Sequence, residues 1–227
     1  MKFNGKKRKQ AIGSYLHKLV AIFQLDVRSI ALWRIFTGIL LIYDVYSRIW
    51  DLSVFYTDFG VLPNSFAVDI AQPDTFSLHF ISGSFIYQLI LFFLAFIVNF
   101  YFLIGKNCKW SGFICWVFLI SIQNRNILIN GEGDNLLRIL LFFSLGLPVG
   151  QHYSVDIFSK FIKNISNLNE NEKKFKSKKC FNFSSVAFFI QFFWFYLTSA
   201  KLKYGISWLD GSALYYALRF SSFSLFC

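Results

Sequence analysis

Asp44 and Arg48 stand four residues apart, and Asp134 and Arg138 repeat that spacing. On a helix, residues four apart share a face, so each carboxylate can neutralise its guanidinium. Lys201 and Lys203 stand two apart and so point to opposite sides of a helix that carries them. Asp210 follows shortly after. The chemistry open to such a set is proton transfer. A lysine held in a low-dielectric site loses proton affinity and becomes a usable base, while the neighbouring charges set its field. A plainer reading stands beside this one. Self-paired charges weld helices together, and a lysine near a helix end anchors at an interface by snorkelling. Arg34 has no acidic residue close in sequence; it lies within reach of lipid headgroups and receives no chemical role.

The medium makes these charges informative. Of 227 residues, 56% are hydrophobic and only 15% charged, against about a quarter charged in an ordinary soluble domain. Lipid is the simplest solvent for that apolar surplus. Apolar runs at residues 30–50, 85–104, 113–130, 136–149 and 183–203 predict an all-α polytopic transmembrane bundle of about five spans, followed by a C-terminal interfacial segment. The net charge of +11 is segregated. Lys2, Lys6, Lys7, Arg8 and Lys9 crowd the N-terminus. Lys160, Lys163, Lys173, Lys174, Lys176, Lys178 and Lys179 crowd a second segment, and Lys106 and Lys109 follow the second run. Residues 51–84 hold Asp51, Asp58, Asp69 and Asp74 and no Lys or Arg. The positive-inside rule then puts the N-terminus in the cytoplasm. It gathers Asp44, Arg48, Asp134, Arg138, Lys203 and Asp210 in the outer layer.

The expected organisation is a basic cytoplasmic tail at residues 1–23 and a membrane domain over 24–227. The first apolar run is too long for a signal peptide and lacks a small-x-small cleavage site. The basic clusters flank apolar runs rather than covering a soluble face, so no nucleic-acid partner is expected. Membrane lipids are, and the basic loop can pair with anionic headgroups. Cys108, Cys115, Cys180 and Cys227 form no CxxC pair, and no His lies at metal-ligand spacing, so neither a metal nor a structural disulfide is expected. Two glycosylation sequons, at Asn164 and Asn182, fall on the inner side and receive no role. A channel or transporter would need polar groups through the bilayer depth; the second run has only Gln88 and Asn99.

Several segments resemble the HTTM domain, the membrane domain shared with vitamin K-dependent γ-glutamyl carboxylase. They are Ala31-Leu-Trp-Arg-Ile-Phe-Thr-Gly-Ile-Leu-Leu-Ile-Tyr-Asp44, Phe55-Tyr-Thr-Asp-Phe-Gly-Val-Leu-Pro63, Asn130-Gly-Glu-Gly-Asp-Asn-Leu-Leu-Arg138, Tyr153-Ser-Val-Asp156, and Tyr196-Leu-Thr-Ser-Ala-Lys-Leu-Lys203 continued by Trp208-Leu-Asp-Gly211 and Ala213-Leu-Tyr-Tyr216. The resemblance runs from about residue 24 onward. It implies that Lys203, a few residues before a Trp-x-acidic-Gly motif, is the base acting on a reduced vitamin K-like quinone. The deprotonated hydroquinone would then react with oxygen to give a stronger base, which would remove a γ-proton from glutamate so that carbon dioxide can add. It also implies Asp134, Arg138, Trp208 and Asp210 as surroundings. Two features depart from the carboxylase. Its catalytically important His aligns with Asn126, and the part that grips a protein substrate is missing. The chain is either a fragment or a gene product reduced to the core. Bacterial members similar to maturation factors of a sporulation-delaying toxin imply a second class, a non-enzymatic accessory to a secreted peptide. The richness in Phe, Ile, Asn and Lys points to an AT-rich bacterial genome, and with it to the bacterial inner membrane.

Overall fold

The computed structural model describes residues 20–71, 74–165 and 179–219. The N-terminal basic cluster, Lys173, Lys174, Lys176, Lys178, Pro73, Cys227 and the side chain of Lys163 lie outside the described residues. In chain order the helices are α1 (Val27–Trp50), α2 (Leu52–Phe55), α3 (Asn64–Ile70), α4 (Phe85–Ile104), α5 (Cys108–Arg125), α6 (Glu132–Ser144), α7 (Val155–Ile165), α8 (Phe183–Leu202), α9 (Ile206–Leu209) and α10 (Ser212–Arg219). Single 3-10 turns occupy Leu78–Phe80 and Ile127–Ile129, and β1 (Leu25–Asp26) pairs antiparallel with β2 (Lys179–Cys180).

Among the described residues, three helices are long and apolar enough to cross a membrane: α1, α4 and α8. The surface of α4 shows what solvent it is built for. Ile86 is 72% and Phe93 61% exposed along a helix of twenty residues without a charge. An apolar band of that length matches the hydrocarbon thickness of a bilayer. The two intermediate runs differ from expectation. α5 begins at Cys108 and ends at Arg125, because Asn126 takes extended geometry and its carboxamide oxygen accepts the Leu128 amide at 3.1 Å. α6 begins at Glu132, with the Gly131 amide donating to the Asp134 carboxylate at 2.8 Å, and stops at Ser144. Its thirteen residues reach only about 20 Å.

The residues through Phe188 form one compact unit and those from Phe189 a second. In the first, contacts run in opposite chain directions on successive helices. Arg34, Gly38 and Leu41 on α1 meet Gly105, Leu103 and Asn99 on or just after α4. Cys108 at the start of α5 lies beside Arg34, while Ile122 near its end joins Val45, Leu52, Tyr56, Phe92 and Ala95 in the core. The unit is an up-and-down bundle. The ends of α1 and α5 and the starts of α4 and α6 share one end. Gly105, Cys108 and Val149 share the other.

Two glycines make this packing possible. A Cβ on Gly38 would fall 2.9 Å from the Leu103 Cα, so α1 and α4 approach backbone to backbone there. Gly105 ends α4 in the left-handed region at φ +78°, its amide donating to Tyr101 and Phe102 carbonyls. Against the start of α1, the β1–β2 pairing joins Leu25 to Cys180 and the Asn182 carboxamide donates to the Gly146 carbonyl at 2.7 Å. These contacts tether the start of α8.

The second unit comprises the rest of α8 with α9 and α10. Its side chains are largely exposed, including Tyr204, Ile206 and Leu209. The tight connection between α9 and α10 is organised by Asp210, whose carboxylate accepts the Ser212 amide at 2.9 Å and hydroxyl at 2.7 Å. Those bonds hold the Asp210 carboxyl below its usual range.

Candidate functional site

Arg48 is the centre of the polar layer at the α1-end of the first unit. Its Nε donates to the Asp44 carboxylate at 2.7 Å, the pair expected from the four-residue spacing. Its Nη1 donates to the Tyr56 hydroxyl at 2.9 Å, and its Nη2 meets the Asp134 carboxylate at 3.2 Å. The guanidinium thus joins α1, the segment after α2 and the first turn of α6.

The expected Asp134–Arg138 pair does not form. Arg138 donates to the Asn135 side chain at 3.1 Å instead. Asp134 sits in the first turn of α6, where one oxygen is taken by the Gly131 amide and the other turns to Arg48. Helix N-termini favour a carboxylate that accepts free amides. A guanidinium on another helix then outcompetes the half-buried local one. The backbone of the same residue is engaged as well, since Gln123 donates to the Asp134 carbonyl at 3.0 Å. Asn130 donates to the Gln123 carbonyl at 2.7 Å. The carboxamide oxygens of Gln123 and Asn130 are buried and accept nothing among the described residues.

A cavity of about 250 Å³ opens on this cluster, lined by Asp44, Arg48, Asp51, Tyr56, Phe55 and Ile129 among others. That lies just under the roughly 300–1,000 Å³ of most ligand pockets, which suits a single ring or side chain. Tyr56 accepts from Arg48, so its own proton is free to be donated into the cavity. Burial lifts the phenol above its ordinary range, only partly opposed by Arg48, so the hydroxyl stays protonated. The arrangement offers a neutral O–H donor beside the side chains of Asp44 and Asp51. Such an arrangement can donate a hydrogen bond to an oxygen placed in the cavity.

Asn126, which the resemblance aligned with a catalytic His, is buried and committed. Its amide donates to the Phe55 carbonyl at 3.2 Å while its oxygen caps Leu128. Arg125 is equally enclosed and donates to the Tyr56 and Leu62 carbonyls. These bonds fix the loop that carries Tyr56. The run Gln123-Asn124-Arg125-Asn126 is too polar for lipid, and it spends that polarity on backbone carbonyls: Arg125 and Asn126 on the Tyr56 loop, Asn124 on Phe76 and Gln123 on Asp134.

No local sequence pattern marks His79. It is fully buried on the 3-10 turn, its Nδ1 bonded to the Gln88 carboxamide oxygen and its ring edge-on to Phe92 at 5.3 Å. Burial pulls its pKa down to about 4, the Gln88 bond opposing this and Arg125 adding to it. The folded state therefore takes up this proton later than the unfolded chain, whose ordinary value is near 6.5. Stability from neutral His79 is complete above that value and is lost as pH falls toward 4. Over that window the loss is about 3 kcal/mol. Thermal unfolding in detergent should show stability falling with acid, and His79→Phe should flatten that slope. An unchanged slope in the variant would assign the pH dependence elsewhere.

Arg34 departs most from expectation. It reaches no headgroup: the side chain is fully enclosed and donates to the Val149 carbonyl at 3.1 Å, the His152 carbonyl at 3.4 Å and the Tyr153 carbonyl. Cys108 accepts a further weak bond at 3.7 Å.

Lys203, Trp208 and Asp210 belong to the second unit. Lys203 is exposed, its ammonium 5.3 Å from the Trp208 ring centroid. That is a cation–π distance. Lys201 is exposed as well, so neither lysine has the buried, low-dielectric setting expected for a base within the described residues. Comparison with known proteins yields no match to any family profile, curated sequence or solved structure.

Proposed function

We propose that the chain is a multipass inner-membrane protein of HTTM type that acts at its outer face, where it handles a proton on a quinone-type lipid headgroup or a glutamyl side chain of a secreted peptide. The observation that carries this reading is the Arg48 cluster. Asp44, Arg48 and a neutral phenol from a second segment line a cavity of single-ring size, and Asp134 from a third segment binds the same guanidinium. A buried charge network costs desolvation and is weak evidence for stability alone. Charges within membrane helices mark functional sites by default.

In this reading five spans cross the bilayer with the N-terminus in the cytoplasm. Support comes from the segregation of charge along the first unit. Lys106, Lys109, Lys160 and Lys179 lie at the Gly105 end, while Asp44, Asp51 and Asp134 lie at the other. Tyr56 donates to the occupant's oxygen, and Asp44 and Asp134 set the field through Arg48. The resemblance, not the Arg48 cavity, assigns the base to Lys203 of the second unit, with Trp208 and Asp210 beside it in sequence.

The test supplies a reduced vitamin K-type quinone, oxygen, labelled carbon dioxide and a glutamyl peptide to protein in vesicles. Label should enter the peptide, and Lys203→Ala should lower incorporation by at least about a hundredfold while membrane insertion persists. Full incorporation by that variant removes Lys203 as base. No incorporation by the parent chain, with loss of a peptide's maturation on deletion of the gene, moves the reading to a non-enzymatic accessory of secretion. The exposed apolar side chains of α9 and α10 favour this second reading, since they offer a surface for a peptide partner.

A further inference from the structure

At the end of the first unit opposite Arg48, a cavity of about 900 Å³ opens between α5, α7 and β2. Its wall carries Lys109, Lys160 and Lys179, three cations from three separate elements, with the Asn182 segment at its rim. Among the described residues that line it, the one carboxylate, Asp156, is already engaged by the Asn107 amide at 2.7 Å. These residues therefore carry a positive surplus.

α7 forms part of this wall and is two-faced. Asp156 and Lys160, one turn apart, face the cavity. Val155, Ile157 and Phe158 line a separate apolar groove of about 720 Å³, with Ile104 and Tyr153. Phe158 is 64% and Ile162 53% exposed on that apolar side. A short helix with lysine on one face and exposed Phe and Ile on the other lies in the plane of a membrane interface. Basic pockets between helices on the cytoplasmic side receive lipid headgroups.

We propose that this cavity binds the phosphate headgroup of an anionic phospholipid, whose acyl chain lies in the groove on the other face of α7. The proposal rests on the membrane reading above, but not on the chemistry at the opposite end. One helix separating a basic cavity from an apolar groove matches an amphiphile. A soluble anion would have no use for the groove, and a neutral lipid none for the lysines.

The full chain, purified in neutral detergent, is offered phosphatidylglycerol or phosphatidylcholine, and bound lipid is read by native mass spectrometry. Phosphatidylglycerol should be retained in preference. Combined Lys109→Gln, Lys160→Gln and Lys179→Gln should weaken its retention by roughly tenfold or more, leaving phosphatidylcholine retention and the melting temperature unchanged. Equal retention of both lipids by the parent overturns the proposal. So does equal protection against heat by inorganic phosphate or glycerol 1-phosphate, which would mark a soluble-anion site. Should the triple variant fail to fold, salt decides. The preference must fade between about 0.05 and about 0.5 M salt, and a preference indifferent to salt refutes the lysine site. Alkaline extraction of membranes reads embedding independently, so loss of the lipid preference is distinguishable from loss of the membrane reading.

Discussion

Arg48→Met should be among the most destabilising single substitutions in the first unit, lowering stability by about 3 kcal/mol. The guanidinium has three acceptors from three segments, Asp44, Tyr56 and Asp134. Removing it leaves two carboxylates facing each other with side chains only 19% and 21% exposed. Breaking a buried pair by deleting one partner costs about 3–5 kcal/mol, because the stranded charge stays desolvated. The residual exposure of both acids places this case at the lower end. Arg48→Lys should recover little, since one ammonium cannot span the fork that a guanidinium offers. Adding Asp44→Asn and Asp134→Asn to Arg48→Met should recover much of the loss, because it removes the stranded, desolvated charges. Thermal unfolding of detergent-solubilised protein, followed by size-exclusion chromatography, reads all of these. If Arg48→Met melts with the parent, the three groups are not energetically coupled and the cluster loses its standing as a preorganised site.

Arg34→Met tests the opposite end, and its expected cost is also on the order of 3 kcal/mol. The cause is different. Arg34 has carbonyl oxygens rather than carboxylates as its described oxygen partners, so there is no ion pair to break. Its guanidinium lies against Gly105, where a Cβ would come within 2.5 Å of Nη1. That is the C-terminal end of α4, where the helix dipole favours a cation. A methionine fills the volume but leaves the carbonyls of residues 149, 152 and 153 without their donor. Each unsatisfied buried acceptor costs about 1–3 kcal/mol before relaxation, and release of a buried charge offsets part of that sum. Hydrogen exchange should rise locally over residues 149–158, with the Arg48 end unaffected. Uniform protection across that segment would show that the carbonyls find other donors.

Both arginines stand in α1, and the sequence treats them very differently. Asp44 four residues before Arg48 announces a pair, and the pair is there at 2.7 Å. The same logic applied to Asp134 and Arg138 fails, because spacing along one helix says what can meet and not what else competes. Asp134 has a free backbone amide on its own helix end and a guanidinium on α1, and it takes both. The partner of Arg34 is a turn of backbone more than a hundred residues away, which no local pattern encodes. His79 and Tyr56 stayed hidden for the same reason. Their burial depends on Phe92 and Gln88 arriving from α4.

By itself, the sequence determined the apolar helices and their approximate lengths. The span at residues 85–104 matches to the residue, because a chargeless run with Ser84 before it and Gly105 after it has its ends written locally. The ends of α5 and α6 were not written so plainly, since a carboxamide at Asn126 and a carboxylate at Asp134 decide them by hydrogen bonding. Only the tertiary structure decided which charges share a cavity, that Arg34 is sealed in rather than reaching lipid, and that α7 divides a basic cavity from an apolar groove. Helical periodicity is a property of neighbours a few residues apart. Charge pairing and burial depend on which helices cross and at what height, and packing alone sets that.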